Sequence, residues 1–323
     1  MRLSEFVTRM AIEHRRLGRH RTAETYLCTL RSMLSFQGDN IRLRVCFTSE
    51  WLFAYQNHLI SLGLTHNTIV FYISRIRSVY NKAVKAKLVK LQDGLFDHLY
   101  TRSMSTAKRA LSHETISLIS EGDLSEHANL EFARDMFMLS FYLQGISFVD
   151  LAHLRKTDVY DNTLVYQRRK TGGTIRLIIE PVALDIIRKY ASKATGPYLL
   201  PIFTNPNPDN LKRLYSNALR TLNRRLKRIA SLLGIQENLT SYVSRHSWAT
   251  IAYHEGVGTA MISQAMGHHS EKVTHVYLRS FDQLALSRVN KVVINAVSKS
   301  KKQQSNKRKQ QLVSETQKVS AGG

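Results

Sequence analysis

Apolar residues recur at helical spacing through the first hundred residues of the chain. One stripe carries Leu52, Tyr55, Leu59 and Leu62. Steps of three and four residues place side chains on one face of an α-helix, and the neighbouring stripes extend the pattern to about four helices. We expect Ser49 to cap the start of this helix and Gly63 to end it.

A second stripe begins at Thr65 and combines an apolar face with a basic one. The apolar face consists of Ile69, Ile73, Ile76 and Tyr80, and the other side carries Arg75, Lys82 and Lys85. Another basic cluster, residues 14–21, lies between the first two predicted helices. Basic residues on a helix are usually only solvated, but two clusters in one small helical module favour contact with phosphate groups.

The helical period is lost between residues 91 and 110, where polar residues surround Gly94. The absence of an apolar stripe predicts a linker, which we place at residues 101–110. Ser112-His113-Glu114 begins the next helical region. The chain is therefore expected to contain two domains joined by this linker.

One short β element stands out in the second domain. The β-prone runs 163–169 and 174–179 flank Lys170-Thr171-Gly172-Gly173, and the two glycines suit a tight hairpin turn. Residues 210–234 return to helical spacing with a strongly basic face. The fold class is therefore predicted to be mainly α, with one small antiparallel β element.

The net charge of the chain indicates which class of molecule it binds. Among 323 residues there are 47 Lys and Arg against 24 Asp and Glu, a net charge of +23, and 43% of residues are hydrophobic. The chain can build real cores, and its charge predicts an anionic partner, most simply nucleic acid. Two isolated cysteines, Cys28 and Cys46, fit a reducing cytoplasmic compartment. The sequence contains no apolar run long enough to predict a membrane span.

Residues 298–323 have the composition of a disordered basic tail.

Three segments of the second domain carry the candidate chemistry. They are Gly145-Ile146-Ser147-Phe148-Val149-Asp150-Leu151, Ser244-Arg245-His246-Ser247-Trp248-Ala249-Thr250, and Met266-Gly267-His268-His269-Ser270 followed by Thr274-His275-Val276-Tyr277. In this order, with the hairpin Lys170 between the first two, they resemble the catalytic boxes of the tyrosine recombinase, or phage-type integrase, family. The match covers nearly everything except the tail.

The resemblance implies an architecture and an activity. Residues 1–100 would form a helical, SAM-like core-DNA-binding domain and residues 111–297 the mostly α catalytic domain. The enzyme would be a site-specific DNA recombinase that cleaves and rejoins double-stranded DNA through a 3′-phosphotyrosyl intermediate. A homotetramer on two DNA sites would exchange the strands, DNA-bending accessory proteins are a further class of partner, and no metal or other cofactor is implied.

The roles implied for individual residues follow the chemistry of a phosphodiester. Its charge repels nucleophiles, so catalysis needs fixed positive donors around the phosphate oxygens. Tyr277 would be the nucleophile, Arg245 and His268 would bind the phosphate, and Lys170 would protonate the leaving 5′ oxygen. His246 is expected to support the site. The residues expected to contact DNA are Arg75, Lys82, Arg168, Arg169, Arg176, Arg224 and Arg225.

Two positions depart from the family pattern and resemble a divergent subgroup. Ser147 stands where the first catalytic arginine is usual, and Tyr242 stands where the first histidine of the second box is usual. Ser147 to Asp150 resembles a capping box with Asp in place of Glu, opening a helix to Leu154 whose first turn would contact the phosphate weakly. Tyr242 would donate its phenol hydrogen to phosphate. The missing guanidinium would come from the hairpin, with Arg168, Arg169 and Arg176 as candidates.

The sequence also allows three other interpretations of the function. The two departures allow a DNA-binding protein of the same fold with impaired catalysis. A type IB topoisomerase shares the chemistry but relaxes one duplex. A metal-dependent nuclease would use His254, His268, His269 and His275, but this cluster lacks the carboxylates that such sites prefer.

Overall fold

A computed structural model describes residues 1–104, 110–268, 270–275 and 278 of the chain. The chain divides into two compact units, Met1–Ala107 and Lys108–Gly323. Most described residues are helical, and one small antiparallel sheet completes the fold, as predicted. Among the described residues, no helix combines the length and the apolar character needed to cross a membrane.

Unit 1 is a bundle of helices around its own core. Its helices are α1 (Leu3–Arg16), α2 (His20–Gln37), α3 (Leu43–Cys46), α4 (Ser49–Ser61) and α5 (His66–Lys85). The predicted stripe of α5 is confirmed, since Ile69, Ile73, Ile76 and Tyr80 are all buried. The basic cluster at residues 14–21 runs from the end of α1 into the start of α2, also as predicted.

The predicted start of α4 needs correction, whereas Gly63, with a φ of +70°, follows the C-cap Leu62 and stops the helix as predicted. Thr48, not Ser49, is its N-cap, and the Thr48 side chain accepts a hydrogen bond from the backbone N–H of Trp51 at 3.3 Å. Two adjacent hydroxyl residues can both cap a helix, so the pattern alone did not select between them. At the other end, Leu62 follows the helix and is 60% exposed, so it does not belong to the buried stripe.

Unit 2 contains the remaining elements. Its helices are α6 (His113–Glu121), α7 (Ala128–Tyr142), α8 (Phe148–Ala152), α9 (Pro181–Ala191), α10 (Leu211–Leu232), α11 (Val243–His254), α12 (Thr259–Ala265) and α13 (Glu271–His275). Its strands are β1 (Val159–Tyr160), β2 (Thr163–Gln167) and β3 (Thr174–Ile178).

Helix α7 forms the centre of unit 2. Met136, Phe137, Met138 and Leu139 are all buried in succession, so the helix is covered on every side in this stretch. Helices α6, α9, α10 and α11 pack against it. The segment that follows α7, including Gly145 and Ser147, therefore starts at the core of unit 2.

The sheet has the order β1-β2-β3, and all pairings are antiparallel. Leu164 and Tyr166 of β2 and Ile175 and Leu177 of β3 face the core, in the alternation expected of a half-buried hairpin. The turn is closed by hydrogen bonds from Arg168 N–H to Gly173 O at 2.8 Å and from Gly172 N–H to Arg168 O at 2.7 Å. The predicted hairpin is confirmed, and β1 adds a third strand.

The helix predicted to start at Ser147 is shorter than expected. Ser147 is its N-cap residue, but α8 ends at Ala152, two residues before the predicted Leu154. The Ser147 side chain makes no capping bond to the helix backbone and instead donates to Asp150 Oδ2 at 2.6 Å. The capping-box prediction was therefore wrong, and a helix of 5 residues offers only a weak dipole to an anion.

Candidate active site

Arg245 connects the three motif segments. It lies in the first turn of α11 and is only 3% exposed. Its Nη1 donates to the carbonyl oxygen of Gly145 at 2.6 Å, and its Nη2 donates to that of Met266 at 2.7 Å. Gly145 has a φ of +68°, and a Cβ there would lie 3.0 Å from the Cα of Arg245. Only glycine fits this backbone conformation and this close approach without strain.

His268 lies directly against Arg245. Its Nε2 is 3.0 Å from Nη2 of Arg245, and its Nδ1 is 2.9 Å from Oγ1 of Thr274. Burial, and then the charges of Arg245, Arg168 and Lys170, lower the pKa of His268 to about 4. The imidazole is therefore neutral near pH 7 in the DNA-free protein.

A second buried arginine reaches the same place from the hairpin. Arg168 is 7% exposed, and its Nη1 donates to the carbonyl oxygens of Met266 at 3.0 Å and Gly267 at 2.6 Å. Gly267 has a φ of +61°, and a Cβ there would lie 2.8 Å from Cδ of Arg168. The glycine before His268 thus makes room for the arginine, and two guanidinium groups converge on Met266.

Asp150 holds the hairpin against the first motif segment. Its Oδ2 accepts from the Ser147 hydroxyl at 2.6 Å and lies 3.6 Å from Nε of Arg168. Its Oδ1 accepts from the backbone N–H of Arg169 at 2.9 Å. From the sequence, Asp150 was predicted only to take part in a helix cap. The one signal for a buried partner is its charge between the apolar residues Val149 and Leu151.

A cavity of about 450 Å³ opens beside these groups. Its lining includes five predicted site positions, namely Ser147, Arg168, Lys170, Tyr242 and Arg245. Lys170 is exposed at the hairpin turn, whereas Tyr242 caps α11 and is 46% exposed. The cavity therefore presents fixed cations and hydroxyl donors, an arrangement that can bind a phosphate group and stabilise charge that develops on it.

The other predicted site residues lie elsewhere. Arg169 is exposed beside Lys170, and Arg176 is exposed on the outer face of β3, opposite the core. His246 is buried on α11, and the centre of its ring lies 4.8 Å from that of Tyr242. Tyr277, the predicted nucleophile, lies outside the described residues.

A second basic cavity, of about 520 Å³, lies between α10 and the first turn of α7. Arg224, Arg225 and Arg228 line it, together with Glu126 and Asn129. Nη2 of Arg225 donates to Oδ1 of Asn129 at 3.2 Å, and burial followed by the neighbouring Arg224 charge lowers the pKa of Arg225. Because arginines and helix N-termini both attract anions, this cavity also suits a phosphate group.

The basic residues predicted on α5 differ in their surroundings. Lys82 is half-buried, with its Nζ 3.2 Å from Nε2 of His14 and 5.6 Å from the centre of the Tyr26 ring. Burial, and then the charges of Lys82 and Arg19, lower the pKa of His14. Lys82 therefore packs against α1 and α2 instead of extending fully into solvent, and Arg75 is also half-buried.

Known proteins match both units. The profile of the phage integrase family matches residues 111–283, and that of the phage integrase SAM-like domain matches residues 2–94. Tyrosine recombinase XerD of Listeria innocua is 24% identical over 230 residues, which cover 67% of this chain and 72% of the relative.

Solved structures show the same fold. A lambda integrase dimer bound to a COC′ core site superposes with a TM-score of 0.67 at 15% identity, over 88% of this chain and 99% of that one. A lambda integrase tetramer bound to a Holliday junction gives a TM-score of 0.65 at 15% identity, over 88% of this chain and 80% of that one.

Proposed function

The chain belongs to the phage integrase family and is a tyrosine-type site-specific recombinase, and we propose that its chemistry takes place in the cavity beside Arg245. We assign DNA binding to residues 1–100, a linker to 101–110 and catalysis to 111–297, while the basic segment 298–323 lies outside the described residues. The substrate is double-stranded DNA. Cleavage joins the 3′ phosphate to a tyrosine and frees a 5′ hydroxyl. The 5′ hydroxyl of a second, similarly cleaved duplex then attacks the phosphotyrosyl bond, which joins the two strands and releases the tyrosine.

The observation that supports this proposal most strongly is the pair of buried arginines at the cavity. Arg245 and Arg168 are fixed by backbone carbonyls before any substrate arrives. A phosphodiester gains negative charge in its transition state, and donors that are already in place stabilise that charge without reorganising. The site is therefore suited to stabilising phosphoryl transfer more than to merely holding DNA.

Each remaining role follows from position and chemistry. Tyr277 is the nucleophile by its spacing from Gly267-His268 in the third motif segment. Lys170, exposed at the hairpin turn and lining the cavity, protonates the 5′ oxygen as it leaves. His268 and Tyr242 donate hydrogen bonds to the phosphate. His246 supports Tyr242 through its ring.

Arg168 supplies the guanidinium that Ser147 lacks. Of the three hairpin arginines, it alone is buried and lines the cavity, while Arg169 and Arg176 are exposed. Ser147 donates its hydroxyl proton to Asp150, the carboxylate that also lies beside Arg168. Ser147 therefore helps to position Arg168 through Asp150 more than it binds phosphate itself.

DNA is held by several basic surfaces. Arg224 and Arg225 bind a backbone phosphate in the cavity next to α7, and Arg75 and Lys82 contribute from α5. Four copies assemble on two duplexes, as the lambda integrase tetramer on a Holliday junction exemplifies. DNA-bending accessory proteins are part of the same proposal.

A nicked duplex that traps the covalent intermediate tests the proposal. The wild-type protein should form a complex that resists denaturant, and Tyr277→Phe should bind the same DNA without forming it. The complex should form in the presence of a chelator, which separates this chemistry from a metal-dependent nuclease. DNA binding with no covalent complex from the wild type would favour the catalytically impaired alternative. Joining of two different duplexes, and not only relaxation of one, separates a recombinase from a topoisomerase.

A further inference from the structure

Thr274 makes a buried contact with His268 that the assigned roles do not use. Its side chain is 0% exposed, and its Oγ1 lies 2.9 Å from Nδ1 of His268. Thr274 belongs to α13 and stands three residues before Tyr277 in the sequence. The contact therefore ties the segment that leads to the predicted nucleophile to the histidine beside Arg245.

The partner on the other ring nitrogen fixes the direction of this hydrogen bond. A guanidinium group can only donate, so Nε2 of His268 accepts from Nη2 of Arg245 at 3.0 Å and carries no proton. A neutral imidazole then holds its proton on Nδ1. Nδ1–H donates to the Thr274 hydroxyl, and the hydroxyl acts as the acceptor.

DNA binding would add negative charge to the cationic surroundings of His268. The ionised groups that act on it include Arg245 from α11 and Arg168 and Lys170 from the hairpin, and all three oppose protonation. A DNA phosphate in the adjoining cavity brings negative charge, which favours the imidazolium form. The proton comes from solvent, and its destination depends on which ring nitrogen is available.

We propose that Thr274 keeps the Nδ1 proton of His268 in place, so that the proton gained on binding DNA goes to Nε2. That nitrogen then no longer accepts from Nη2 of Arg245 and donates instead to the scissile phosphate. The inference rests on the proposed function, since it requires a phosphate beside Arg245. Thr274 is a positioning residue, because it acts through His268. Without its hydroxyl, the imidazolium loses an acceptor and the active protonation state becomes harder to form.

The test compares Thr274→Val, which keeps the shape but removes the hydroxyl, with Thr274→Ser, which keeps the hydroxyl. Rates of covalent complex formation on the nicked duplex are measured from pH 6 to pH 9. A hydrogen bond to a charged group is worth roughly ten- to a hundredfold, so the valine variant should lose about that much at pH 8 and much less at pH 6. In the valine variant, the fall of the rate at alkaline pH should begin at a lower pH, because the pKa of His268 in the DNA complex is lowered.

The serine variant should stay within about threefold of wild type at every pH, as expected when no hydrogen bond is lost. Equal losses for valine at all pH values, or no loss, would overturn the proposal. Nitrogen NMR of the DNA-free full chain gives a readout independent of catalysis and of either variant's folding, with the His268 signal identified by its absence in His268→Asn. It should show the proton on Nδ1, and a proton on Nε2 would contradict the inference. A wild type that forms no covalent complex would instead count against the proposed function.

Discussion

Two arginines from different parts of unit 2 donate to the same carbonyl oxygen, and they are held in different ways. Arg245 comes from α11 and is fixed by the carbonyls of Gly145 and Met266. Arg168 comes from the end of β2 and depends in addition on Asp150, 3.6 Å from its Nε. The first arginine stands at the position that the motif predicts. The second belongs to none of the three motif segments.

We interpret the difference as the relocation of a cation within the site. Asp150 accepts from the Ser147 hydroxyl and also lies beside Arg168. An arginine at position 147 would need a carboxylate of its own, and Asp150 is the one next to it. The small Ser147 side chain therefore leaves Asp150 available to Arg168. We infer that the serine and the hairpin arginine form one linked replacement.

Removal of the arginine on α11 should have the largest effect. Arg245→Ala removes a preorganised donor and takes away the guanidinium that binds the buried Gly145 carbonyl, while the Met266 carbonyl keeps Arg168 as a donor. Covalent complex formation should therefore fall by about a thousandfold or more. Arg245→Lys keeps the positive charge but not the planar guanidinium with its paired N–H donors, so it should recover only part of the cleavage rate. The rate of covalent complex formation on the nicked duplex is measured for both variants. An alanine variant that folds and cleaves within tenfold of wild type would contradict the role of Arg245.

Removal of the hairpin arginine should have the next largest effect. Arg168→Ala should slow cleavage by about a hundredfold, the typical effect of one lost donor. Arg169→Ala and Arg176→Ala are matched controls from the same hairpin and should stay within about threefold. Arg168→Ala also leaves Asp150 buried without its cation, so thermal unfolding should show a lower melting temperature. Arg168→Lys keeps a charge near Asp150 and separates loss of folding from loss of catalysis.

If Arg168→Ala, Arg169→Ala and Arg176→Ala all cleave at the wild-type rate while Ser147→Arg raises cleavage greatly, the replacement is wrong. That outcome would mean that the site works with the guanidinium of Arg245 alone and that no other arginine replaces the one missing at position 147.

Substitutions in the second basic cavity, which Arg224, Arg225 and Arg228 line, should have the smallest effect. Changing both Arg224 and Arg225 to Gln should weaken DNA binding uniformly and reduce the slope of log affinity against log salt by about one to two. Arg188→Gln is a suitable control, because Arg188 is exposed on α9 and pairs only with the exposed Asp185 among the described residues. Binding titrations at several salt concentrations measure both. An unchanged slope would remove the cavity from the DNA-binding surface.

The sequence predicted what depends on local periodicity. The four apolar residues of α5 are buried because helical spacing alone places them on one face. The hairpin was predicted for a similar reason, since two glycines between β-prone runs favour a tight turn. Helix ends were less accurate: Thr48 caps α4 in place of Ser49, and α8 stops at Ala152.

The site was only partly predictable because its contacts join distant segments. The motif order predicted Arg245 and His268, which lie in contact, but it could not select Arg168 from three hairpin arginines. The selection depends on strand register and on Gly267, which leaves room for the Arg168 side chain. Asp150 was missed for the same reason, since its partners Arg168 and Arg169 lie on the hairpin.

A crystal structure of Tyr277→Phe bound to an uncleaved duplex tests the linked replacement most directly. The guanidinium groups of Arg245 and Arg168 should both lie within about 3.2 Å of non-bridging oxygens of the scissile phosphate. Ser147 should still donate to Asp150. A phosphate bound by Arg245 alone, with Arg168 still beyond hydrogen-bond distance and turned to the carbonyls of Met266 and Gly267, would contradict the account.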